Sequence, residues 1–149
     1  MWSSFQRLRR LPGGRRRLLA EALFALWMAR CAMALLPFRR IADWLGTPGV
    51  ETPATATIEE IRIAQEIGWA VAAVARRVPW DGRCLAQALA ASLMLRRRGI
   101  EGTVSFGASQ GESAGFDAHA WLRLGPAIVT GGASYEKFKV LTTFARRRP

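Results

Sequence analysis

Residues 84–106 read CLAQALAASLMLRRRGIEGTVSF, and the change of texture inside this stretch decides the fold. From Cys84 to Arg98 the chain is rich in Ala and Leu, with neither Gly nor Pro. Leu85, Ala88, Leu89, Ser92, Leu93 and Leu95 recur at helical spacing, which predicts a helix. Arg96, Arg97 and Arg98 at its end complement the helix dipole, and Gly99 stands where a C-terminal cap belongs. Past Gly99 the period falls to two. Val104 and Phe106 alternate with small residues, as a strand does.

Upstream of this stretch everything reads as helix. Residues 18–36, LLAEALFALWMARCAMALL, carry no Gly or Pro and are strong helix formers. Basic flanks give them a superficial likeness to a signal peptide or a membrane span. Glu21 and Arg30 interrupt the run, and each is costly near a bilayer centre. The uninterrupted apolar part, Ala22 to Ala29, falls far short of the roughly 20 residues a span needs. The helix is expected to pack against its own domain or a partner. Pro37 ends it, and Phe38 to Leu45 make a short second helix before the punctuated segment Gly46–Pro53. Thr57 and Glu60 form a candidate capping box for a helix running to about Val78. Its apolar stripe is Ile61, Ala64, Ile67, Ala70, Val71, Val74 and Val78. Pro79 stops it, and Trp80 to Arg83 turn the chain.

Downstream everything reads as strand. Residues 110–115 are a polar loop, 119–124 alternate, Gly125-Pro126 turns, 127–130 return, and 138–144 (FKVLTTF) look like a last strand. Helices first and an antiparallel sheet after them define an α+β chain. The expected division is a basic N-terminal arm at 1–17, broken at 12–14, one domain at 18–144 and a basic tail at 145–149. With 149 residues, half of them apolar, the chain has room for one domain and one core. The formal net charge of +11 excludes an acidic solvating chain. It speaks to non-specific attraction before function, and no nucleic-acid partner is inferred from it. Two cysteines, Cys31 and Cys84, in dissimilar contexts argue against a disulfide framework or a cysteine zinc site. Cys31, among Ala and Met, reads as a small buried hydrophobe. With His119 the sole histidine, a His-rich metal centre is excluded, and any imidazole chemistry falls to that residue.

Cys84 and His119 carry the chemistry. A helix N-terminus offers partial positive charge and free N–H groups, which favour a thiolate and stabilise an oxyanion. A helix-start cysteine followed tens of residues later by a strand-borne histidine is the order of papain-like thiol enzymes. Asp117, two residues before His119, shares its strand face and is the candidate to orient the imidazole. Thr130, Ser134 or a main-chain carbonyl are the alternatives. Trp80 and Trp121 are core residues or walls of a cleft that excludes water.

The run Pro79-Trp80-Asp81-Gly82-Arg83-Cys84-Leu85, the segment Leu93 to Ile100, and Ala118-His119-Ala120-Trp121 together resemble the transglutaminase-like leader peptidases of lasso-peptide biosynthesis, the B-type. The likeness spans about residues 18–144, and Val129-Thr130-Gly131-Gly132 extends it. It implies a papain-like, transglutaminase-type core and a cytoplasmic cysteine protease that removes the leader from a ribosomally made precursor. Cys84 would be the nucleophile and His119 the base, with no metal or organic cofactor. The released core would pass to an ATP-dependent macrolactam cyclase. The family pattern expects an Asp about a dozen residues after the His, whereas residues 128–134 here hold no carboxylate. Many members also carry a small winged-helix-like domain that grips the leader. None is legible here, so the resemblance implies a standalone peptidase served by a separate leader-recognition protein. A membrane surface is a possible but less favoured partner. The rival readings are another thiol acyl transfer on the same core, such as amide exchange or deamidation, and a non-catalytic basic adaptor between precursor and cyclase.

Overall fold

The α-helices come first, as far as Arg96, and the long strands follow from Thr103. The computed structural model describes residues 13–78, 83–111, 115–133 and 135–147. Its helices are α1 (Gly13–Leu35), α2 (Phe38–Leu45), α3 (Ile58–Ala75) and α4 (Cys84–Arg96). Its strands are β1 (Thr47–Pro48), β2 (Thr103–Gln110), β3 (Phe116–Leu124), β4 (Ala127–Thr130) and β5 (Lys139–Ala145), with one 3-10 turn at Tyr135–Lys137. All the pairings are antiparallel and the spatial order is β1-β5-β2-β3-β4. This is the α+β arrangement that the texture change at Gly99 implies.

The boundaries move in ways the local chemistry explains. α1 is already helical at Gly13, the first described residue, and takes in Arg15, Arg16 and Arg17, which the sequence assigns to a frayed arm. Arginine is a good helix former, and Arg15 lies over the Trp69 ring of α3, which holds this first turn to the domain. At α3 the capping box forms as expected: the Thr57 hydroxyl accepts from the Glu60 amide at 3.1 Å, and the Thr57 amide donates to Glu60 Oε2 at 3.0 Å. α3 ends at Ala75 and not at Val78. β1 lies in the segment read only as punctuation. It is two residues long, at the sheet edge, where Pro48 needs no ladder donor.

Leu26, Leu45, Ile67, Met94, Leu95 and Leu122 are fully buried and join helices to sheet in one core. α1 contributes one side, Ala22, Ala25, Leu26 and Ala29. It packs on α2, α3 and α4, while α3 and α4 pack on the sheet through β3 and β4. Gly68 permits a close approach of α3 to β4, since a Cβ there would collide with the Val129 carbonyl oxygen.

The arginines ending α4 do more than answer its dipole. Arg98 grips Glu21 of α1 through both carboxylate oxygens, at 2.9 and 2.8 Å. Arg97 adds a third contact at 3.3 Å. Arg96 donates to the Trp44 and Leu45 carbonyls at the end of α2, lies over the Trp44 ring and pairs with Glu101. The acid that interrupts the apolar run of α1 is therefore the residue that clasps α1 to the domain. Gly99 takes φ +72°, and Ile100 donates back to the Leu95 carbonyl, which closes α4 as a glycine cap should.

Candidate active site

Cys84 is the first residue of α4, half-buried and a free thiol, as is Cys31 on α1. The residue before it, Arg83, has no side-chain acceptor, and no side-chain cap bond closes this helix start. A Ser or Asp at that position would draw first-turn amides onto its own oxygen. Of the expected turn at 80–83, residues 80–82, Trp80 among them, lie outside the described residues.

His119 sits in the middle of β3, opposite Gly107 of β2. Leu122 and Leu124 of β3 lie in the core, so His119 and Trp121 occupy the other face of the strand. On that face a second, smaller cluster forms. The imidazole lies 5.8 Å from the Trp121 ring at 28° and 4.8 Å from the Phe138 ring at 31°, and Tyr135 lies 5.9 Å from Trp121. Trp121 is 4% exposed, a wall of this cluster and not a member of the main core. Gly107 leaves the space, for a Cβ there would press on both Trp121 and Phe138.

The orienting bond comes from the main chain. His119 Nε2 lies 2.8 Å from the Gly131 carbonyl oxygen. A carbonyl only accepts, so Nε2 carries the proton and the neutral ring keeps its lone pair on Nδ1. Gly131 is twelve residues after His119, the interval at which the sequence pattern asks for an aspartate and finds none. Its φ is +70°, and a Cβ there would lie 2.7 Å from the Ala120 carbonyl oxygen and 3.1 Å from Nε2 itself. Glycine is thus required both by the backbone and by the imidazole.

Asp117 lies on the same strand, exposed, paired in register with Ser109 and beside Gly111 at the loop end of the β2–β3 hairpin. Among the described residues no hydrogen bond joins it to His119. Thr130, another alternative for the orienting group, is buried with its Oγ1 unpartnered, and it pairs with Leu122 rather than with the imidazole's position. Ser134 lies outside the described residues.

Cys84 and His119 stand on elements that pack together, α4 against β3. No hydrogen bond joins the thiol to the imidazole in the described residues. β4 pairs with β3 only from Leu122 onward, so at His119 the sheet has an open edge on that side. The sequence reading did not single out Gly131, Phe138 or Tyr135 for the site. Tyr135 and Phe138 are three apart across a 3-10 turn, where such residues share a face, a spacing visible in the sequence. Phe138, the first residue of the strand the sequence predicts, lies outside it, since β5 begins at Lys139.

An α+β domain with a cysteine at a helix start and a strand-borne histidine whose Nε2 is held by a carbonyl shares the element order of papain-like thiol enzymes. The sequence model of the transglutaminase-like superfamily matches residues 14–143, and the chain belongs to that superfamily, whose members are typically cysteine peptidases or acyltransferases. No curated protein and no solved structure matches the chain.

Proposed function

We propose that the chain is a cytoplasmic cysteine peptidase that removes the leader from a lasso-peptide precursor. The observation that carries this reading is the 2.8 Å bond from His119 Nε2 to the Gly131 carbonyl, which leaves Nδ1 of the sole imidazole as a base. Nδ1 takes the proton of the Cys84 thiol, and the thiolate sulfur bonds to the carbonyl carbon of the scissile peptide. First-turn amides of α4, beginning with that of Cys84, receive the oxyanion. The imidazolium returns its proton to the leaving amine, and water then cleaves the thioester. A carbonyl carries only partial charge, so it supports the imidazolium less than the family's aspartate would.

The resemblance at Pro79–Ile100 and Ala118–Trp121 supports the substrate class. In the same reading a separate leader-recognition protein presents the precursor, and an ATP-dependent cyclase takes the released core. The test is incubation of precursor with the purified chain, with and without the recognition protein, followed by mass analysis. Leader and core fragments that vanish with Cys84→Ala are the expected result. A cross-linked or deamidated product would replace proteolysis with another acyl transfer. A Cys84 that no alkylating probe labels, with no product formed, would leave the adaptor reading.

A further inference from the structure

We propose that the outward face of α1 docks the folded domain onto an anionic lipid bilayer, with the helix lying along the membrane surface. By length and composition alone α1 passes for a membrane span even with Glu21 and Arg30 in it, yet its place in the fold argues against a crossing. Its inner side is sealed into the core, and Glu21 is held by Arg97 and Arg98 of α4. The outer side carries Leu23, Phe24, Trp27 and Met28, exposed by 45, 55, 51 and 42%. These four adjoin along the helix, and the Phe24 and Trp27 rings lie 6.1 Å apart. Scattered exposed apolar residues are ordinary; a contiguous aromatic and aliphatic strip on one helix marks a docking surface.

Charge selects the occupant. Arg16 and Arg17 stand exposed at the start of α1, where Arg15 lies over the Trp69 ring of α3, with Arg30 exposed within α1 and Arg39 and Arg40 just past its end on α2. The acids on these two helices are Glu21, already paired, and the exposed Asp43. An apolar strip with Trp at its middle and arginines at both ends is the pattern of a helix seated in the headgroup layer, its rings in the acyl boundary and its cations among phosphates. The net charge of +11 gives the same attraction at longer range. A protein partner would need acids spread around the whole strip, whereas an anionic bilayer supplies them everywhere. Shape agrees. Met28 also borders a groove of about 340 Å³ between α1, α2 and α4, floored by Ala29 and Ala32 with Arg40 at its side. An acyl chain fits a narrow apolar groove of that kind, beside a cation for its headgroup. α4 lies between α1 and β3, so a domain seated on α1 keeps His119 a helix layer away from the lipid.

The test is co-sedimentation of the full chain with vesicles of phosphatidylcholine alone and of phosphatidylcholine mixed with phosphatidylglycerol. Binding to the anionic vesicles, weaker by roughly tenfold or more on phosphatidylcholine and reduced by salt, is expected. Phe24→Glu with Trp27→Glu should abolish that binding while the melting temperature stays near wild type, since both side chains are exposed. Quenching of tryptophan emission by brominated lipid gives a readout that needs no variant. No sedimentation with either vesicle overturns the proposal. So does binding that the double substitution leaves intact, which would be charge attraction without docking of the strip. A dimer in solution that the substitution dissociates, with no vesicle binding by the wild type, would assign the face to a second copy and also overturn it.

Discussion

The proton on His119 Nε2 is committed to a carbonyl that Gly131 presents only because it lacks a side chain. Gly131→Ala must move that carbonyl or the ring, and a displacement of about 1 Å at a reacting group costs on the order of 100-fold in rate. We expect such a loss in kcat with KM little changed, read in the precursor-cleavage assay. Asp117→Asn should leave turnover near wild type, because Asp117 has no bond to the imidazole among the described residues. If Asp117→Asn instead abolishes cleavage while Gly131→Ala is silent, the carboxylate holds the ring in the working enzyme. Cys84→Ala should cost about 10³-fold or more, as loss of a nucleophile does. Cys31→Ala, on α1, should cost almost nothing.

At the scale of elements, the helices are joined by charges placed at their ends. Glu21 of α1 is held below the ordinary carboxylate range, first by the hydrogen bond from Arg98, with burial opposing. A depressed folded value means that the clasp contributes fully at neutral pH and is lost as pH falls through that folded value. Thermal melts taken from neutral pH into acid should therefore show Glu21→Gln destabilised at neutrality by up to about 1 kcal/mol, with the gap closing toward acid. A constant gap across that range would mean that Glu21 matters for packing alone. For α3, Thr57→Ala removes half of the capping box and should lower stability by about 1 kcal/mol in denaturant titration.

For the whole molecule, the central question is whether the helical layer brings its cysteine to the histidine of the sheet. α4 packs on β3, β4 leaves the edge of β3 open at His119, and the proposed chemistry needs the two side chains to meet there. In a Cys31→Ser background, His119→Cys should form a disulfide with Cys84 under mild oxidation, since bridged residues have Cα atoms within about 7 Å. Intact-mass analysis showing two hydrogens lost is the expected outcome. Two free thiols after oxidation would separate the residues and remove the thiol mechanism. Cleavage by the isolated chain should also be slow, because a flexible leader pays ordering entropy that a recognition protein offsets through effective concentration. Rapid cleavage with no gain from that protein would defeat this expectation.

Local sequence was sufficient wherever local chemistry is strong. The α+β order, the start of α4 at Cys84, the capping box at Thr57 and the glycine cap at Gly99 all follow from spacing and side-chain type within a few residues. The sequence also singles out Cys84 and His119 as the candidates for chemistry, since the chain offers a single imidazole and one cysteine at a helix start. Contacts between distant segments were not legible. Glu21 reads as an interruption of an apolar helix until Arg98 is seen across from it, 77 positions away. β1 is too short to show a period and exists only because β5 pairs with it. The acceptor on His119 is a main-chain oxygen, which every residue carries, so no side-chain pattern announces it. Only the turn after β4, which brings Gly131 under the ring, decides that this oxygen stands at the interval where the family pattern asks for a carboxylate.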